Sequence, residues 1–187
     1  MRKPLPILIP ILCFLVICAC KKSNNNSTSQ GLVGTWNFLG VSGHAETYIN
    51  EGLGVSMVGH PAFVSTNNVG TIQFDKDSMR ASGVGYAVDT AFWADFYYSG
   101  SIYDSSWQPL SYTVPPTSTT SQYSLIGADS LFFPKGGLLT ALDSASTGQR
   151  CGYMLKGDSL VLTSAGIETS NGVQTSYVTV ITMKRSK

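Results

Sequence analysis

The sequence predicts an all-β domain, and three observations predict it. Between turn residues, apolar and polar side chains alternate with a period of two, as along half-buried strands. Gly, Ser and Thr are spread along the chain, and no convincing helical pattern follows the N-terminal segment. One pattern, "YSLIGADSL" from Tyr123, returns as "YMLKGDSL" from Tyr153, and each copy reads as strand, turn, strand. So many short strands cannot share one open sheet with a single dry face; they must close or stack. The expected architecture is an antiparallel up-and-down meander closed into a barrel, with a β-sandwich as the alternative.

The elements follow in chain order. In "LVGTWNFLGV", Leu32, Gly34, Trp36 and Phe38 share one face of a first strand. In "GTIQF", Ile72 and Phe74 point one way, and Asp75–Asp77 then turns the chain into a strand over 78–88. In that strand Met79, Ala81, Gly83, Gly85 and Ala87 share one face, while Val84, Tyr86 and Val88 share the other; period alone does not say which is inside. The stretch from Ala91 to Tyr112 is dense in aromatic rings. Alternation puts Phe92, Phe96 and Tyr98 on one face as core, and Trp93 and Tyr97 on the other, with Trp107 farther along. Rings on the outer face suit a glycan or a protein partner; otherwise they line a barrel mouth or are covered by the segment itself. "YTVPPTSTTSQ" reads as a surface loop, because Pro115-Pro116 does not fit a central strand. Tyr123–Phe133 and Tyr153–Thr163 read as hairpins. Asn171-Gly172 supplies the positive φ of a tight turn between strands near Ser159–Thr169 and Val173–Arg185.

The N-terminus sets the compartment. Arg2-Lys3 precedes an apolar run from Leu5 to Ala19, too short for the ~20 residues of a membrane-spanning helix. The run ends Ile17-Cys18-Ala19-Cys20, which resembles the lipobox of bacterial lipoproteins. That resemblance implies that residues 1–19 are a signal peptide and that Cys20 carries diacylglycerol and a further acyl chain, palmitate serving as its label. Several buried chains anchor firmly where one does not. Lys21–Gln30, "KKSNNNSTSQ", has nothing apolar to bury, so residues 20–30 are expected to be a disordered tether of about 18 Å root-mean-square reach. Residues 31–187 then make one domain. Net charge falls from +1 to about −1 once Arg2 and Lys3 leave, and no basic patch supports nucleic-acid binding. Cys13 and Cys18 go with the signal and Cys20 is acylated, so Cys151 remains alone and is read as a buried packing residue.

The residues give no enzyme signature. "GVSMVG" from Gly54 places its second Gly one residue late for a nucleophile elbow around Ser56 and lacks the strand–turn–helix setting. His44, Glu46 and His60 carry metal-ligand chemistry, but two histidines in a Gly-rich stretch read as solvated loop residues. No catalytic residue, metal or cofactor is expected.

"GTWNFLGV", "GTIQFDKD", "YMLKGDSLVLT" and a last strand ending Lys184-Arg185 are together similar to the lipocalin-like lipoproteins of Gram-negative envelopes. The resemblance covers the first strand, the Gly70 hairpin and the last third. It implies a barrel whose floor or ligand site includes Trp36 and Phe38, with Arg185 as cation–π cover of the Trp36 ring; Trp36 as a plain core anchor is the alternative. It implies a lipid-anchored protein that binds a small apolar or amphipathic ligand, and with no acidic cluster after Cys20 the expected position is the outer membrane, facing the periplasm. The alternative is a non-enzymatic structural or interaction protein whose aromatic surface meets glycan or protein; oligomeric state stays open. Finally, Asp followed by Ser or Thr and an apolar residue recurs at Ser78, Thr90, Ser130, Ser144 and Ser159. The pattern resembles a periplasmic O-glycosylation acceptor, and it is also what hairpins produce unaided.

Overall fold

The computed structural model describes residues 31–135, 148–170 and 173–187. A helical turn at Gly31–Leu32 leads into β1 (Gly34–Gly52), β2 (Val55–His60), β3 (Ala62–Val64), β4 (Thr66–Phe74), β5 (Ser78–Tyr98) and β6 (Ser101–Gln122). Then come β7 (Ser124–Ile126), β8 (Ser130–Phe133), β9 (Gln149–Lys156), β10 (Ser159–Ser170) and β11 (Val173–Arg185). All pair antiparallel in one sheet, in the order β2-β5-β4-β1-β11-β10-β9-β8-β7, with β3 on β1 and β6 on β5. The expected all-β antiparallel fold is present. First and last strands pair from Trp36↔Arg185 to Ile49↔Val173. At the other limit of the order, only Tyr123 separates β6, which pairs β5, from β7, which pairs β8.

β2, β3 and β4 are one run of chain along β1, broken at Pro61 and Ser65. Pro61 has no N–H for a ladder, but its carbonyl still accepts from Ala45 N at 2.8 Å. At the second break a side chain replaces a ladder rung: Val41 N donates to Ser65 Oγ at 2.8 Å, and Ser65 Oγ donates to Asn68 Oδ1 at 2.7 Å. Asn68 Nδ2 then donates to Leu39 O at 2.8 Å. The backbone groups of Leu39 and Val41, in the gap between the Asn37↔Thr71 and Ser42↔Val64 pairs, are thereby satisfied.

The repeated Tyr…Asp-Ser-Leu pattern is scaffold. In each copy Asp-Ser turns the chain into a strand, and the Asp carbonyl accepts the closing rung: Tyr153 N to Asp129 O at 2.7 Å, Arg185 N to Asp158 O at 2.7 Å. Asp77 O does the same for Tyr123 N at 2.9 Å. The repeat's tyrosines brace a neighbouring turn with their hydroxyls, Tyr123 donating to Asp75 O at 2.6 Å and Tyr153 to Ala128 O at 3.0 Å. These three turns and the chain's arrival at Gly31 lie at one end, here called the base.

The core also sits at the base. It runs through Trp36, Phe38 and Val41 on β1, Ile72 and Phe74 on β4, Leu131 and Phe133 on β8, Leu160 and Leu162 on β10, and Ile181 and Met183 on β11. On β5 the core residues are Met79 and Ala81, then Val84, Tyr86 and Val88; farther along, Ala94 is also buried. The expected single alternation therefore changes phase. Gly83 adopts a φ of 59°, and the register shifts between Ala81 and Val84, so a bulge turns the bulky Val84, Tyr86 and Val88 onto the face that Met79 began.

Three sequence readings need correction. Residues 112–122 are not a loop but the second half of β6, and Pro115-Pro116 falls where the register is shifted between Val84↔Thr117 and Tyr86↔Val114, a place that needs no regular rung. His44 and His60 are not loop residues; they lie in β1 and β2. Tyr98, expected in the core, is exposed at the tip of β5, where Ser99-Gly100 turns the chain away from any packing layer. Cys20, the tether, Ser144 and Asn171-Gly172 lie outside the described residues; the strands flanking that last turn pair up to Ser170↔Val173.

Candidate functional site: an aromatic pair beside a fixed carboxylate

At the base, three residues make one unit. Trp36 is wholly buried, and its Nε1 donates to Leu32 O at 2.9 Å, which ties the helical turn to β1. The Arg185 guanidinium lies 4.3 Å from the Trp36 ring centroid. It donates from Nη1 to Val33 O at 3.3 Å and from Nη2 to Gly31 O. Gly34 is required here: its φ is +137°, and a Cβ would stand 2.8 Å from Arg185 Nη1. The Gly-x-Trp opening is thus explained by an arginine about 150 residues later. Trp36 and Phe38 are core residues, and the Phe38 ring meets that of Tyr86 at 6.1 Å.

The outer face of the β5–β6 hairpin is different. Trp93 and Trp107 are cross-strand partners, 40% and 66% exposed, with centroids 5.6 Å apart and planes at 76°. Two residues along, Asp95 faces Ser105. Asp95 Oδ1 accepts from Trp93 Nε1 at 3.0 Å and from Ser105 Oγ at 2.6 Å. Tyr97, next on this face, is half-buried. Sequence reasoning placed Trp93 and Trp107 but missed Asp95 and Ser105. The signal was present: Asp95 stands midway between Trp93 and Tyr97 at the strand period, hence on the same face. On the opposite face, Phe92 and Phe96 are half-buried, Phe96 meeting the Tyr103 ring at 6.4 Å.

Elsewhere, His44, Glu46 and His60 line a shallow groove of about 520 Å³ with Ser176 and Tyr177. His60 Nδ1 lies 3.8 Å from Glu46 Oε2, both well exposed. Among the described residues, no three His, Cys, Asp or Glu side chains stand together as a metal site. Ser56 is within strand β2, without a helix behind it. Cys151 is buried, and burial pushes its thiol up to about 11, so it stays protonated.

The acceptor-like hydroxyls differ in access. Ser159 is exposed and Ser78 and Thr90 are half-buried. Ser130 is only 8% exposed, with its Oγ donating to Asp129 Oδ1 at 3.1 Å.

No protein-family model matches the chain, and no curated protein matches it. Among solved structures it is similar to Ail, the attachment invasion locus protein of Yersinia pestis. The identity is 9%, over 82% of this chain and 99% of that one, with a TM-score of 0.25. A likeness that slight carries no argument about function.

Proposed function

We propose that the protein is a lipid-anchored, non-enzymatic lipoprotein of a Gram-negative envelope, a lipocalin-like barrel with a filled interior that acts through its outer surface. The observation that carries this reading is the content of the buried face. Rings and large aliphatic chains meet across it: Phe38–Tyr86 at 6.1 Å, Phe74–Tyr123 at 5.8 Å and Tyr123–Phe133 at 5.9 Å. Bulky side chains on that face favour packing over cargo at the base.

Closure is supported by the pairing of β1 with β11 and by the one-residue passage from β6 to β7. The Gly34–Trp36–Arg185 unit supports the lipocalin-like reading. Around the base, Asn37, Gln73, Arg80 and Lys184 project outward, exposed, while the core there is apolar. That is the arrangement of a barrel standing in water; a lipid-embedded barrel carries an apolar outer band around a polar lumen. An anchor at Cys20 is consistent with it, holding the domain at the outer membrane on the periplasmic side.

Native mass spectrometry of the purified protein tests the filled interior: the expected mass is the lipidated chain, and a stoichiometric small molecule retained in the spectrum refutes it. Such a molecule would favour a second reading, an amphipathic ligand held between the half-buried Phe92, Phe96 and Leu110 on the inward side of the hairpin. Cys20→Ala is expected to abolish palmitate labelling; a labelled mutant refutes the anchor. Digestion of the domain by protease added to intact cells refutes the periplasmic position.

A further inference from the structure

We infer that Trp93, Trp107, Asp95 and Ser105 form a subsite for a neutral β-linked pyranoside chain. This rests on the surface-acting reading above and names its partner class. The four side chains occupy two adjacent cross-strand pairs on one face, Trp93↔Trp107 and Asp95↔Ser105. The indoles offer an apolar, polarisable surface, and the carboxylate offers an acceptor at its margin.

Three features select a sugar. Asp95 is oriented before any partner arrives, since Trp93 Nε1 and Ser105 Oγ both donate to its Oδ1. Oδ2 is left to accept from hydroxyl groups, and an ionised carboxylate accepts such bonds more strongly than a neutral group. The area is the second. An aromatic side chain buries at most 150–250 Å². Two indoles at 40% and 66% exposure offer on the order of 200 Å². One or two pyranose rings match that figure, whereas a protein, which requires about 800 Å² per side, would have to cover the exposed Tyr98, Ile102 and Tyr103 at the hairpin tip as well. Surroundings are the third: Pro109, Ser111 and Thr113 follow on this face of β6, His60 stands beside Trp93 on β2, and neither β2, β6 nor β5 beyond Arg80 carries a Lys or Arg, so an acidic or sulfated chain meets no ammonium or guanidinium group there. Equatorial pyranoses present a flat face of C–H bonds to an indole and their hydroxyls at the rim, where Asp95 and Ser105 stand.

The chain's three tryptophans make the test direct, because Trp36 is wholly buried and the other two form the subsite. The purified full-length protein is titrated with cellotetraose and with chitotetraose, following tryptophan emission and, separately, heat of binding. Saturable binding of at least one of them with a change in emission is the expected result. Trp107→Ala should weaken it roughly tenfold, in line with the loss of an aromatic stacking partner. Asp95→Asn, which keeps the shape and an acceptor but loses the charge, should weaken it several-fold with far-UV circular dichroism unchanged. Absence of saturable binding of both tetrasaccharides at 10 mM, roughly −2.7 kcal/mol in affinity, overturns the subsite. So does binding that Trp107→Ala leaves intact. Neither result touches the filled interior, which the retained-ligand measurement decides by itself.

Discussion

Replacing Arg185 by alanine removes several interactions from one small volume. The guanidinium covers the Trp36 ring at 4.3 Å and donates to Val33 O and Gly31 O. A cation over an indole contributes about 0.5–2 kcal/mol depending on how dry it is. A hydrogen bond from a charged group contributes about 1.5–3 kcal/mol, less where water competes. Arg185 is only partly buried, so the low end of each range applies and the expected loss is about 3 kcal/mol. For a chain of this size that corresponds to a fall in Tm of roughly 6–12 °C. Arg185→Lys keeps a charge near the ring but loses the planar fork, and should recover only about 1 kcal/mol. Urea unfolding followed by tryptophan emission measures both. If Arg185→Ala lies within about 1 kcal/mol of the parent, or if lysine restores full stability, the unit is not the clamp described.

Gly34→Ala forces a β-carbon into a φ of +137° and against Arg185 Nη1, so it should cost about 1–3 kcal/mol in the same assay; a neutral result refutes the close approach. Alkali should destabilise the fold. Burial, followed by the Asp75, Asp77 and Tyr153 charges, raises Tyr123 from 10.0 to about 12, and burial raises Cys151 from 9.0 to about 11. The folded state then holds protons that the unfolded state has released, so stability is full below pH 9 and falls between pH 9 and 12. Unfolding midpoints that stay level across that window contradict it, as does rapid alkylation of Cys151 by iodoacetamide at pH 8. If sugar is added to the folded protein in its host, Ser159→Ala should remove a discrete mass and Ser130→Ala should not; loss with Ser130→Ala contradicts the burial of that hydroxyl.

What was legible in the sequence was whatever local periodicity controls. The hairpins at Tyr123 and Tyr153 follow from alternation and turn residues, and β7–β10 have the expected form. The illegible parts depend on partners far away in sequence. Nothing local to Gly83 says that a bulge reverses the faces of β5; the register against β4 and β6 decides it. Pro115-Pro116 read as loop because proline forbids regular rungs, yet an irregular ladder absorbs both. At the candidate site the rings were found because they are conspicuous in a strand pattern. Asp95 was missed although its face was legible, because its bond from Ser105 appears only when β6 is laid opposite.

The buried residues thin out along the strands. On β1 none follows Val41, and on β11 none precedes Ile181, although both strands run on for about ten residues more. Protection against hydrogen exchange follows burial and contact density. The amides of the base should therefore exchange only with global unfolding, and those of the upper β1–β2, β5–β6 and β10–β11 hairpins through local opening. Trp93 lies 15 residues beyond Ser78, about 50 Å along the strand path at 3.3 Å per residue. The molecule is thus a packed foot at Gly31 from which one laterally hydrogen-bonded run of long hairpins extends with little core behind it, so those hairpins can flex together without straining the foot.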